Sequence, residues 1–231
     1  MLALTVAGLA AAVSAQAQNW VAGKHYSIIP TQRTNVAPGK VEVMEVFSYG
    51  CPACNQFLPT MKKLKAALPP NAQVVYLPAS WNKGENWPMF QRAYLTALQM
   101  GVSEKAHDAM FQAIWSTGEL GVTEPSGRLK KVLPSIDDIA KFYARVTGVK
   151  AADFVNASKS FTVDLKMRQA DSQIVAMQVP STPTLIVNGK YRVNNDSGMT
   201  FDQVIEVVKF LVAKESGTAA APAAAPAAKK P

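Results

Sequence analysis

Cys51 and Cys54 are the only cysteines in the chain, and just Pro52 and Ala53 separate them. A thiolate is a nucleophile, and two cysteines three apart on a helix share one face. That geometry permits a disulfide between them, with Cys51 the outer, attackable sulfur and Cys54 the inner one. The flanking residues decide how reactive such a pair is. An apolar, β-branched run (Val41, Val43, Val46) reads as a buried strand that stops at Gly50. Pro52 suits the first turn of a helix. Beyond it Phe57, Met61, Leu64 and Leu68 recur at helical spacing, while Lys62, Lys63 and Lys65 turn away. Cys51 therefore stands where a strand hands over to a helix N-terminus. Unpaired N–H groups and the positive end of the macrodipole stabilise a thiolate there, so its pKa falls below the free value of ~8.5.

Other uses of two cysteines fit less well. As a staple the pair closes a very short loop, worth roughly 2 kcal/mol against ~4.7 for a hundred-residue loop. Zinc would need more ligands than these cysteines with His25 and His107, and no second C-x-x-C exists. Asn55 rather than His follows Cys54, which excludes haem attachment. No metal and no cofactor is expected.

Composition allows a real core. The chain has 231 residues, 48% hydrophobic and only 17% charged. Its net charge of +8 is scattered, with no block resembling a nucleic-acid patch. Residues 1–17 carry no charge, are rich in Ala, Leu and Val, and end in Ala15-Gln16-Ala17. This is a signal-peptide pattern without the usual basic front, and too short to span a ~30 Å hydrocarbon core. Export, and with it an oxidising compartment, is the expectation.

The remaining chain divides by pattern. Residues 18–39 read as a polar, Pro-containing lead-in. Residues 40–85 hold the strand and helix just described, closed by Pro69-Pro70, and a second strand at Val74-Val75-Tyr76-Leu77. Pro59 falls inside the helix and is read as structural, introducing a kink. Residues 86–177 are helical. Asn86 is the expected cap of the first helix, Ser103 opens the second, and Ser135 caps a third that stops at Gly148. His107 lies on an apolar helix face and reads as a core or boundary residue. Residues 178–214 return to strand at Thr184-Leu185-Ile186-Val187, turn at Asn188-Gly189, and finish in a helix whose capping box is Thr200 with Gln203. Residues 215–231 are an Ala/Pro/Lys low-complexity tail. The order is β-α-β, a block of helices, then β-β-α: one α/β unit interrupted by an all-helical insertion.

Cys51-Pro52-Ala53-Cys54 after Glu45-Val46-Phe47-Ser48-Tyr49, with Thr182-Pro183-Thr184-Leu185-Ile186-Val187-Asn188-Gly189-Lys190-Tyr191 downstream, resembles the DsbA family. These are periplasmic thiol-disulfide oxidoreductases with a thioredoxin fold and an inserted helical domain. The resemblance covers roughly Val41 to Leu211. It implies that Cys51 is the nucleophile and Cys54 the buried resolving partner. Pro183 matches the family's cis-proline, which presents the Thr182 backbone to an extended substrate beside Pro52 and Ala53. Glu45 matches a buried acid that influences proton transfer from the resolving cysteine; the alternative is a solvated edge position. Many relatives carry His where this chain has Ala53, which implies a less oxidising couple. The resemblance further implies a periplasmic monomer acting on unfolded or newly exported cysteine-containing proteins, reoxidised by a DsbB-type membrane oxidase, with no nucleic-acid partner. A reductase or isomerase, or a peptide-binding chaperone, are the alternatives.

Overall fold

The computed structural model describes residues 19–194 and 197–218. The signal segment expected at 1–17, and the expected tail from residue 219 onward, lie outside the described residues.

The apolar run becomes β2 (Val41–Phe47), buried at every position. It hands over through a short turn to α1 (Pro52–Ala67), after which β3 (Ala72–Pro78) lies parallel to β2. Five helices follow: α2 (Trp87–Gln99), α3 (Ser103–Trp115), α4 (Ile136–Thr147), α5 (Ala151–Ser158) and α6 (Phe161–Ala176). The chain then re-enters the sheet as β4 (Thr184–Val187), antiparallel to β2 on its other side, turns into β5 (Tyr191–Val193), and ends in α7 (Phe201–Glu215). Residues 18–39, read from the sequence only as a polar, Pro-containing lead-in, carry one more strand, β1 (Tyr26–Ile28), antiparallel to β5. Three residues are too few to display an alternating pattern, and their extended form is set by the partner strand rather than by their own propensity. The sheet order is β1-β5-β4-β2-β3, which puts β2 inside the sheet with a neighbour on each edge.

Pleating sends alternate side chains of β2 to opposite faces. Val41 and Val43 join Phe57, Met61 and Leu64 of α1 and Val208 and Leu211 of α7 in one core. Met44 and Val46 join a second core with the helices between β3 and β4. Removing each such side chain from water is worth about 1.5–3 kcal/mol. The helical block is fastened to the sheet where it leaves it. Asp171 of α6 accepts hydrogen bonds from Ser80 Oγ and Gln91 Nε2, both at 2.8 Å, and Gln91 Nε2 also donates to the Pro78 carbonyl at 3.0 Å.

Local signals account for many of the element ends. Ser135 with Asp138, and Thr200 with Gln203, form capping boxes that satisfy the first turns of α4 and α7. Asn86, the expected cap of α2, makes no side-chain cap bond. It adopts a left-handed conformation after a 3-10 turn at Lys83–Glu85, and its Nδ2 donates to the Pro134 carbonyl at 2.8 Å. A tertiary partner has outcompeted the local one. Glu215, expected within the tail, is the last residue of α7, where its carboxylate accepts from Asn188 and, at 2.6 Å, from Lys190.

The Asn188-Gly189 turn has positive φ at both residues, 52° and 62°, and closes with Lys190 N–H donating to Val187 C=O at 3.0 Å. The lead-in is laced to it, Gln32 N–H donating to the Gly189 carbonyl at 2.9 Å. A Cβ on Gly189 would stand 2.5 Å from the Gln32 carbonyl oxygen. Gly189→Ala should therefore destabilise the fold by more than the ~1–2 kcal/mol of a left-handed alanine alone. Urea unfolding would measure it, and a loss below 0.5 kcal/mol (on the order of ordinary surface changes) would mean that the lead-in yields freely.

Candidate functional site

Between β2 and α1 the chain makes a tight turn, with Cys51 N–H donating to the Ser48 carbonyl at 3.1 Å and Gly50 N–H to Ser48 Oγ at 3.1 Å. Cys51 is thereby left as the N-cap of α1, with extended φ −88° and ψ 117°, and Pro52 occupies the first turn. Its Sγ accepts from the Cys54 N–H at 3.4 Å, so a sulfur does here what a capping oxygen does elsewhere. Both thiols are free; Cys51 is 5% exposed and Cys54 1%.

The Thr182–Pro183 peptide is cis, and the Thr182 carbonyl lies 3.4 Å from Cys51 Sγ. Pro52 and Ala53 are exposed beside it, with Thr182 and Pro183 half-buried. Five of the other six site residues expected from the sequence thus lie around the Cys51 sulfur, and the sixth, Glu45, lies beneath. Glu45, 3% exposed, is in the middle of β2, in register with Tyr76 on one side and Leu185 on the other. A solvated edge position for Glu45 is excluded by that placement.

The surroundings split the two thiols. The Cys51 pKa is lowered to about 6, chiefly because the Cys54 thiol donates to its thiolate, assisted by the Thr182 side chain and by the N–H groups of Cys54 and Ala53 and opposed by burial. Burial pushes the Cys54 thiol far up, and the hydrogen bond to Cys51 and the charges of Cys51 and Glu45 push it further. One proton is shared, and it rests on Cys54. Burial, then the Cys51 charge, raises the Glu45 carboxyl to about 8. The pair is a nucleophile above a protonated thiol above a protonated acid.

Sequence reasoning passed over a second buried acid. Glu42 is buried on the opposite face of β2, its Oε2 accepting from Asn35 N–H at 2.6 Å, and burial raises its pKa. The signal was available: in a strand buried on both faces, acids of opposite parity must both be covered. His107 is indeed a core residue, 5% exposed, and burial lowers its pKa to about 4. Among the described residues no three His, Cys, Asp or Glu side chains gather as a metal site would require, and no helix is long and apolar enough to cross a membrane. A cavity of about 710 Å³ runs along the free edge of β3, past Tyr76, Tyr94 and His107, but touches neither cysteine. The chemistry of the pair belongs to the surface around Cys51.

Comparison with known proteins agrees with this geometry. Residues 37–207 match the thioredoxin family model. The thiol:disulfide interchange protein DsbA of Pseudomonas aeruginosa is 33% identical over 207 residues, spanning 90% of this chain and 91% of that one. DsbA of Azotobacter vinelandii is 33% identical over 193 residues, 84% and 83% of the two chains. Among solved structures, the oxidoreductase DsbA from Xylella fastidiosa superposes with a TM-score of 0.73 at 30% identity, covering 85% of this chain and 98% of its own. The Pseudomonas aeruginosa DsbA structure gives 0.71 at 31% identity, covering 87% and 97%. With a thioredoxin fold interrupted by helices and a C-x-x-C pair at the start of α1, the chain belongs to the DsbA branch of the thioredoxin family, the thiol-disulfide oxidoreductases.

Proposed function

We propose that the Cys51–Cys54 pair, in its disulfide form, oxidises newly exported cysteine-containing proteins in the periplasm. A substrate thiolate attacks Cys51 Sγ. The new S–S bond forms as the Cys51–Cys54 bond breaks, and Cys54 leaves as a thiolate that takes a proton from the Glu45 carboxyl. A second substrate thiolate attacks the substrate sulfur of the mixed disulfide and releases Cys51 as a thiolate. Two electrons have passed from substrate to enzyme. The restored Cys51 charge raises the Glu45 pKa and so favours its reprotonation from solvent. Thr182 offers its backbone to the extended substrate, and Pro183, Pro52 and Ala53 frame the attacked sulfur. A DsbB-type membrane oxidase accepts the two electrons.

The observation that carries this reading is the stabilised Cys51 thiolate above a Cys54 that stays protonated. A stable reduced form drives the couple towards oxidising its substrate, the direction known for DsbA itself. The exposed methyl side chain of Ala53 adds nothing to what its N–H gives the thiolate, so the couple should be a milder oxidant than one with an imidazole there.

Two measurements on the reduced protein test it. Alkylation of Cys51 should reach half its maximal rate near pH 6, and the dithiol should persist in mildly reducing glutathione buffer. A midpoint near ~8.5, the free-cysteine value, or a disulfide that survives until the buffer is strongly reducing, would turn the assignment towards a reductase.

A further inference from the structure

Tyr49, two residues before Cys51, is held at both ends by one face of α3. Its hydroxyl meets His107 Nδ1 at 3.1 Å, and its carbonyl accepts from Trp115 Nε1–H at 2.8 Å. Phe111, midway between them on the same face, packs edge-on against the Tyr49 ring at 5.1 Å. The next residue is held by α2, because a Cβ on Gly50 would stand 2.6 Å from Trp87 Nε1. α3 is in turn tied to α1 by Lys62–Asp108 at 2.6 Å and by Lys65–Glu104. The turn that delivers Cys51 is thus gripped by helices of the inserted block.

The imidazole is a costly way to fill this place. His107 Nε2 is buried with no hydrogen-bond partner, and Phe47, Tyr49, Tyr76 and Phe111 surround the ring. An unsatisfied buried polar atom is destabilising, a cost that an aliphatic side chain would avoid. The one polar bond the ring makes goes to Tyr49.

We infer that His107 and Trp115 are positioning residues for disulfide exchange: through Tyr49 they hold the Ser48–Cys51 turn where Cys51 Sγ meets the Cys54 N–H and the Thr182 strand end. The inserted helices are then part of the redox centre's mounting as well as a cover for the sheet. The inference rests on Cys51 being the attacking sulfur.

Tyr49→Phe removes only the hydroxyl and keeps the ring, so it is the variant most certain to fold. His107→Leu removes the same bond from the other side, and His107→Gln keeps a polar group within reach. For each, the thiolate titration of Cys51 and the equilibrium constant with glutathione are measured beside the urea midpoint. Tyr49→Phe and His107→Leu should each shift the equilibrium constant about three- to tenfold towards a weaker oxidant, the range of one net hydrogen bond. The double variant should shift it no further than either alone, and His107→Gln should recover most of the loss. If both single variants leave the Cys51 titration and the equilibrium constant within twofold of the parent and lower only the urea midpoint, His107 merely fills the core and the inference is overturned. If the sulfur first alkylated in the parent is Cys54, the reading of the centre fails, and this inference with it.

Discussion

Cys51→Ser should abolish disulfide exchange outright, whereas Cys54→Ser should leave a protein that captures a disulfide-bonded partner and does not let go. The difference follows from which sulfur can be reached and which can leave. Cys51 caps α1 beneath the exposed Pro52–Ala53 rim, with its thiolate stabilised to a pKa of about 6. Cys54 is one turn deeper and its thiol is pushed far up by burial. A serine hydroxyl cannot form the S–S bond at position 51, so no mixed disulfide forms. With serine at 54 the Cys51 thiolate still attacks a substrate disulfide and expels one substrate cysteine, but the mixed disulfide it forms has no Cys54 thiol to resolve it. Incubating each reduced variant with a disulfide-containing test protein and separating the products without reductant would show a stable covalent adduct for Cys54→Ser alone. The Cys51 thiolate attacks the test disulfide while one of the test protein's cysteines leaves as a thiolate. An adduct formed by Cys51→Ser would mean that Cys54 is the sulfur substrates meet.

Glu45→Leu should do two things at once: stabilise the reduced protein at alkaline pH and slow proton transfer at Cys54. The parent buries a carboxyl with no hydrogen-bond contribution among the causes of its shift, only burial and the Cys51 charge. Its folded pKa of about 8 lies above the ordinary glutamate value of 4.5. A group raised in this way contributes its stability in full below the unfolded pKa and loses it as pH rises through the folded one. The parent is therefore penalised progressively between pH ~4.5 and ~8, by up to ~1.4 kcal/mol per unit across that window. Leucine removes the slope. Denaturant unfolding at both ends of the window should find the variant gaining on the parent at the alkaline end; a constant difference would show that Glu45 does not titrate there. In exchange, the loss of a positioned proton donor should slow the step that protonates Cys54 on the order of 10²-fold, as stopped-flow mixing with a reduced peptide would detect.

Short-range physics made much of the centre legible before any coordinates. A strand ending in Gly50, a proline one residue after Cys51 and a helical stripe of Phe57, Met61 and Leu64 are local facts, and they suffice to place Cys51 at a helix N-terminus. The Asn188-Gly189 turn, the cap at Ser135 and the capping box at Thr200 are equally local. What escaped was decided by residues far apart in sequence. The strand at Tyr26–Ile28 exists because β5 pairs with it. Asn86 stands at the N-cap of α2 as expected, but its side chain bonds the Pro134 carbonyl instead of the first turn. Glu42 is buried because the lead-in folds Asn35 over it. The grip of His107 and Trp115 on Tyr49 joins residues 58 and 66 apart, and no periodicity in either segment announces it.

The contact between Cys51 and the Thr182 carbonyl spans 131 residues, and β2 acquires its second neighbour, β4, only when that loop is closed. Loop closure of this length is among the last events on a folding path, since its entropy must be met before the contact rewards it. A chain emerging in order, N-terminus first, therefore carries an incomplete redox centre for most of its length. The α3 residues that grip Tyr49 are out at about half of the sequence and the covering strand only at about four-fifths, so the thiolate of Cys51 gains its last stabilising partner, Thr182, only then. Maturation and activation are one event: the sulfur that attacks other unfolded chains acquires that power only after its own chain has ceased to be one.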